Sequence, residues 1–162
     1  MPATNQRVGM GFDIHPFQLD RPLILGGVMI QDHHGLAGHS DADAVIHAIC
    51  DALLGAAGMD DIGHQFPDTD AQYRGIDSTI LLGRVVGLLQ MSGFSVVNVD
   101  VTVVAQAPKL APHLQAMKDI LGPILQVPSG QIGLKATTNE GLVSWGHDQG
   151  IAAMAICLIE TA

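Results

Sequence analysis

Apolar and polar positions alternate through residues 94–105, where Val97, Val99, Val101 and Val103 are separated by Asn98, Asp100 and Thr102. This predicts a long strand whose polar face meets something other than a hydrocarbon core. After Ser40 the period changes: Ala42, Val45, Ile46, Ile49 and Leu53 recur at helical spacing until Gly55 and Gly58, which predicts a helix capped by Ser40. Asp77 can cap a second helix running to Ser92, with Gly93 as its left-handed terminator, and Pro112 suits the first turn of a third ending near Leu121. Residues 8–13 and 23–30 read as two strands that pair, with 31–35 as turn, and 131–136 and 150–159 as closing strands. Residues 59–77 are rich in Asp, Gly and Pro without periodicity, a long loop of the kind that is usually functional. Strands alternating with helices predict an α+β fold, an α/β sandwich with one sheet and helices packed on one face.

Composition narrows the function classes. The 162 residues are 48% apolar and 14% charged, against a usual charged share of about 25%, so a single globular domain over 1–162 is expected. A net charge of −9 gives no sequence-wide attraction to nucleic acid or an anionic membrane, and no uncharged stretch is long and apolar enough to span a bilayer. The first residues lack a basic start followed by an apolar run, so a cytoplasmic location is expected. Cys50 and Cys157 each lie in an apolar segment and suit reduced core thiols.

Eight His, several of them close to Asp, raise the question of a metal. Asp13 and His15, two apart on a strand, leave the same face. Asp43, His47 and Asp51 form a stripe on the first helix, roughly 140° from the centre of its apolar face. One Asp and two His would give Zn²⁺ three protein ligands and an open position, the pattern of a catalytic site. By spacing alone, a capping Asp13, a surface His15 and a solvated helix stripe account for the same residues equally well. His39-Ser40-Asp41 at the helix start can receive a phosphate or carboxylate, or can be an ordinary cap. Lys109 and Thr137-Thr138-Asn139-Glu140 follow strand ends, where ligand loops and plain turns both occur.

Taken together, GFDIHPF (11–17), LILGGV (23–28), HSDADAVIHAICDALLGAAGMDDIGHQFPDTD (39–70), NVDVTVVAQAPKLAPH (98–113) and LKATTNE (134–140) resemble the 2-C-methyl-D-erythritol 2,4-cyclodiphosphate synthase family of the non-mevalonate isoprenoid pathway. The resemblance runs from Val8 to the last strand. It implies an intramolecular phosphoryl transfer on 4-diphosphocytidyl-2-C-methyl-D-erythritol 2-phosphate that closes a cyclic diphosphate and releases CMP. It further implies that Asp13, His15 and His47 bind Zn²⁺ or another divalent transition metal, and that Glu140 supports a second cation, Mg²⁺ or Mn²⁺. His39 and Thr138 correspond to residues that orient and stabilise the transition state, and Ser40 joins His39. Asp61, Ile62, Gly63, Phe66, Asp68 and Asp70 correspond to the loop that binds the methylerythritol phosphate portion, with Asp68 on its hydroxyls. Ala105, Lys109, Leu110, Thr137 and Thr138 correspond to the nucleotide side, and Asn139 and Glu140 adjoin it. The family implies a homotrimer with a mainly mixed or antiparallel sheet facing a central cavity and active sites between subunits; on that arrangement Asp100 and its polar neighbours are expected near the inner surface.

One stretch departs from the family pattern. Where relatives have something close to LGFIGRGEG, this chain reads LVSWGHDQG over 142–150, so Ser144, His147 and Gln149 replace the Phe, Arg and Glu that line the cavity. Neutral His does not imitate a bidentate Arg, and weak or absent isoprenoid-diphosphate binding is expected. Two readings compete with the synthase: a zinc-dependent phosphohydrolase, which would give a linear product, and a catalytically inactive trimeric binding module.

Overall fold

A computed structural model of the protein describes residues 5–141 and 149–161. Its five-stranded mixed sheet has the order β2-β1-β5-β3-β4. The first strand, β1 (Gln6–Leu25), is far longer than the expected 8–13. Its first part pairs antiparallel with β5 (Gly150–Thr161) and its last part with β2 (Val28–Leu36). The expected pairing of 8–13 with 23–30 is therefore not made. Residues 23–30 are two strand ends joined by Gly26 (φ 56°) and Gly27 (φ 76°), a left-handed pair that folds the chain back as a tight hairpin. Residues 31–35, expected as turn, continue β2.

Strand β3 (Phe94–Val104) is antiparallel to β5 and parallel to β4 (Ile132–Thr137). Consequently β1, β3 and β4 run in one direction, and Asp13 and Val103 share the partner Ala153. The residues that follow these rows all emerge at one end of the sheet.

Helix α1 (Ala44–Ala57) lies directly on β1. The contact is possible because β1 has no side chain where the helix crosses: a Cβ on Gly9 would sit 1.9 Å from the Ala52 carbonyl oxygen, and one on Gly11 2.0 Å from that of Ala48. Gly11→Val should therefore force α1 off the sheet and destabilise the protein by about 3 kcal/mol or more, measured by urea unfolding.

Asp43, not the expected Ser40, caps α1, and it does so from complete burial. Its carboxylate accepts from Ile46 N (3.0 Å) and also from Gly26 N (2.9 Å) and Gly27 N (2.7 Å), tying the hairpin to the helix start. Asp51 accepts from Ile62 N at 2.8 Å, so the Asp43–His47–Asp51 stripe is engaged by protein and is not a solvated face.

The loop after α1 holds a short helix, α2 (Ile62–Gln65), capped by Asp61, and a single 3₁₀ turn capped by Asp70. Helix α3 (Ser78–Met91) begins after Asp77 and ends before Gly93 (φ 78°), as its pattern predicts. Helix α4 (Leu114–Leu125) runs past the expected Leu121, with Pro123 inside it; Pro112 belongs to a 3₁₀ turn ahead of it. Cys50 and Cys157 are buried free thiols. Burial raises both above the ordinary thiol range, Cys157 to about 11.

Opposite the helices the sheet presents exposed apolar side chains. Val8, Met10, Phe12 and Ile14 of β1 and Ile156 of β5 are 42–72% exposed. Beside them on β3 is Asp100, which partners Ile156 across the sheet and forms an ion pair with Lys135 of β4. The cavity expectation for Ser144 and His147 lies outside the described residues. Gln149 is exposed, and its carbonyl accepts from Phe17 N at 2.8 Å.

Candidate active site

Two neighbouring elements build the centre. Asp13 and His15 project from β1 on the side of Gly9 and Gly11, and α1, seated on those glycines, brings His47 to them. Asp13 Oδ2 is 2.8 Å from His15 Nε2 and 3.0 Å from His47 Nδ1, and the two ring nitrogens are 3.3 Å apart. Each imidazole is oriented from behind. His15 Nδ1 lies 2.6 Å from the Ala37 carbonyl, which can only accept, so in the neutral ring Nδ1 carries the proton and Nε2 faces Asp13 with its lone pair. His47 Nε2 lies 3.1 Å from both Ser40 Oγ and Ser78 Oγ.

These three side chains are a group that could hold a metal ion. Two ring nitrogens and a carboxylate oxygen, converging and oriented by outer hydrogen bonds, fit Zn²⁺ or a similar transition metal with a position left open. The electrostatics agree. Burial acts to raise the Asp13 carboxyl, but the hydrogen bonds and charges of His15 and His47 outweigh it and hold it down at about 2. Burial likewise acts to lower His15, and its bond to Asp13 lifts it above its ordinary value. In the metal-free protein that ion pair contributes stability below the ordinary imidazole range and loses it as pH rises through the elevated His15 value. A cation must displace the same proton. Affinity for an added divalent cation such as Zn²⁺ should thus weaken as pH falls through the elevated His15 value, with proton release on binding measured by calorimetry in buffers of different ionisation enthalpy.

The centre opens into a cleft of about 170 Å³. His39, Ser40, Ile62, Gly63, Phe66 and Asp68, all singled out in the sequence, line it together with His15 and His47. Tyr73, Ile76 and Leu81 complete the wall; none was singled out in the sequence, though Tyr73 and Ile76 lie in the 59–77 loop expected to be functional. Tyr73 meets Phe66 edge-on with ring centroids 5.5 Å apart. Arg21 was also missed: its guanidinium donates to the Gly38 and Ser40 carbonyls and fixes the segment that bears His39 and Ser40. Asp61 and Asp70 are exposed helix caps, accepting from His64 N and Gln72 N, and neither lines this cleft.

A second cleft of about 380 Å³ lies beyond the ends of β3 and β4, lined among others by Ala105, Lys109, Leu110, Thr137 and Thr138. The parallel pairing continues into it, since Ala105 N donates to the Thr137 carbonyl at 3.0 Å. Asn139 and Glu140 form the adjoining turn: Asn139 Oδ1 accepts from Gly141 N, and the Glu140 carboxylate accepts from Thr138 Oγ1 at 3.3 Å. The two clefts have no lining residue in common. His39 and Thr138, expected to act on one transition state, are thus in different clefts of the same chain.

Similar proteins agree with this architecture. The model of the YgbB family matches residues 6–160. The 2-C-methyl-D-erythritol 2,4-cyclodiphosphate synthase of Syntrophomonas wolfei is 55% identical over 156 residues, which span 96% of this chain and 99% of that protein. A structure of 2C-methyl-D-erythritol-2,4-cyclodiphosphate synthase in its CDP-bound form shares the fold with a TM-score of 0.86 at 38% identity, over 94% of this chain and 99% of that one. The bifunctional IspDF of Campylobacter jejuni matches with a TM-score of 0.94 at 38% identity over 99% of this chain, which spans only 44% of that longer protein. The chain belongs to the YgbB family, whose model covers it from residue 6 to residue 160.

Proposed function

We propose that this chain is a 2-C-methyl-D-erythritol 2,4-cyclodiphosphate synthase of isoprenoid biosynthesis, acting on 4-diphosphocytidyl-2-C-methyl-D-erythritol 2-phosphate. An oxygen of the 2-phosphate attacks the distal diphosphate phosphorus, the bond from that phosphorus to the bridging oxygen breaks, and CMP leaves with the electron pair. The observation that carries this reading is the oriented Asp13–His15–His47 centre at the mouth of a cleft, in a chain 55% identical to a synthase of that name.

No side chain has to act as a nucleophile, so the protein's work is positioning and charge stabilisation. Asp13, His15 and His47 would hold Zn²⁺ or another divalent transition metal, and Glu140 would support Mg²⁺ or Mn²⁺. Such cations supply Lewis-acid polarisation and neutralise phosphate charge. His39 and Ser40 present donors to the phosphates at the wall of the first cleft, and Asp68 accepts from the hydroxyls of the methylerythritol portion. Ile62, Gly63 and Phe66 exclude water from that portion, with Asp61 and Asp70 shaping the loop. In the second cleft the backbone around Ala105 and Leu110 reads the cytosine, and Lys109, Thr137 and Thr138 meet phosphate charge, with Asn139 holding the turn.

A homotrimer completes the site. Two features support it: the exposed apolar residues Val8, Met10, Ile14 and Ile156 on one sheet face, and the separation of the two clefts within one chain. A neighbouring subunit can then bring its nucleotide cleft to this chain's metal centre, while Asp100 and Lys135 lie toward the shared inner surface. Sedimentation equilibrium should give three times the chain mass of 17.0 kDa, and a monomeric active species would contradict the shared site. The activity itself is tested by product analysis. The cyclic diphosphate with CMP supports the synthase, a linear product would assign a phosphohydrolase, and unchanged substrate a binding module.

A further inference from the structure

We propose that Ser78, backed by Asp41, is a positioning residue that fixes which nitrogen of His47 faces the cation centre. The inference deepens the metal-centre reading above and rests on it. Ser78 is the first residue of α3 and is completely buried. Both of its donors are committed to one carboxylate: its N–H to Asp41 Oδ2 at 3.0 Å and its O–H to Asp41 Oδ1. With its proton spent there, Ser78 Oγ can only accept from the third group it touches, His47 Nε2 at 3.1 Å.

The consequence passes through the ring. Nε2 must carry a proton, so in the neutral ring Nδ1 is the nitrogen left to offer a lone pair to a cation, with Asp13 Oδ2, 3.0 Å from it, as a fellow ligand. Ser40 Oγ, also 3.1 Å from Nε2, cannot dictate this, because among the described residues its own proton has no fixed acceptor and it can serve as donor or acceptor. The order Asp41–Ser78–His47 therefore acts as a carboxylate–hydroxyl–imidazole relay of orientation. It joins the start of α3 to α1, and Asp41 N further holds the loop by donating to the Ile76 carbonyl at 3.2 Å.

The test uses the full chain titrated with zinc against a chromophoric chelator, with ¹⁵N-edited NMR of the imidazoles in the zinc-loaded protein. Wild type should show a slowly exchanging proton on His47 Nε2 with a through-space contact to Ser78. Ser78→Ala should bind zinc about 10- to 100-fold more weakly and lose that slow proton, and Ser78→Thr, which keeps the hydroxyl, should recover most of the affinity. Wild-type affinity in a folded Ser78→Ala protein would overturn the proposal while leaving the metal centre intact; a wild-type spectrum with the proton on Nδ1 would overturn it and also remove His47 Nδ1 from the ligand set. The wild-type spectrum decides the question even if the alanine variant does not fold. Failure of wild type to bind zinc at all would overturn the metal-centre reading, and this proposal with it.

Discussion

Asp13→Ala is expected to lower kcat/KM for cyclisation by about 10³-fold or more, on the order of 4 kcal/mol of transition-state stabilisation. One carboxylate oxygen lies within 3.0 Å of both imidazole nitrogens, and among the described residues no other acid joins that group of potential ligands. Without it two ring nitrogens face each other at 3.3 Å with no anionic partner, and the donor set loses its hard oxygen. The fold should persist, because the carboxylate is held by His15 and His47 side chains and caps no helix. Circular dichroism should therefore change little while zinc affinity and CMP release both collapse. Retention of zinc with loss of activity would instead place Asp13 on the substrate.

Asp43→Ala is expected to act in the opposite way, on stability first. Three backbone N–H groups, from Gly26, Gly27 and Ile46, end on this one buried carboxylate, and the variant leaves them without it. Each buried donor so orphaned costs about 1–3 kcal/mol, partly offset because a buried carboxylate no longer has to be desolvated; a net loss of about 4 kcal/mol is expected. Urea unfolding of the metal-free protein measures it. The pH dependence has a defined sign. Burial, only partly opposed by the three N–H bonds, pushes Asp43 up to about 6. Its contribution is therefore fully present below the ordinary carboxylate range and diminishes as pH rises through about 6. The deficit of the alanine variant should be larger at about pH 4 than at about pH 7. Activity should fall as well, since Asp43 starts the helix that carries His47.

The parts of this protein that were legible in its sequence are those governed by local period. Asp13 and His15 share a face because strands repeat every two residues, and α3 ends where Gly93 allows a left-handed turn. The hairpin was obscured because LILGGV reads as one apolar run, and only the tertiary anchor on Asp43 shows that Gly26 and Gly27 are a bend. Ser40 looked like a cap by residue type; three residues later the buried Asp43 outcompetes it, and Ser40 is left to face His47. Ser78 and Asp41 are 37 positions apart, a separation at which no periodicity links a hydroxyl to a histidine. The close approach of α1 to Gly9 and Gly11 is likewise a property of packing, though two glycines at alternate strand positions just before Asp13 were its visible sign. The two clefts were reached through family motifs, since spacing alone left the residues around Lys109 and Thr138 open to a plain turn.

The central claim is that the Asp13–His15–His47 centre serves ring closure and not hydrolysis. It is tested most directly by phosphorus NMR of 4-diphosphocytidyl-2-C-methyl-D-erythritol 2-phosphate incubated with the protein, Zn²⁺ and Mg²⁺. The expected result is a pair of mutually coupled resonances from the cyclic diphosphate growing in step with CMP, and their absence in the Asp13→Ala reaction. Linear phosphate products, or substrate left unchanged by zinc-loaded protein, would contradict it.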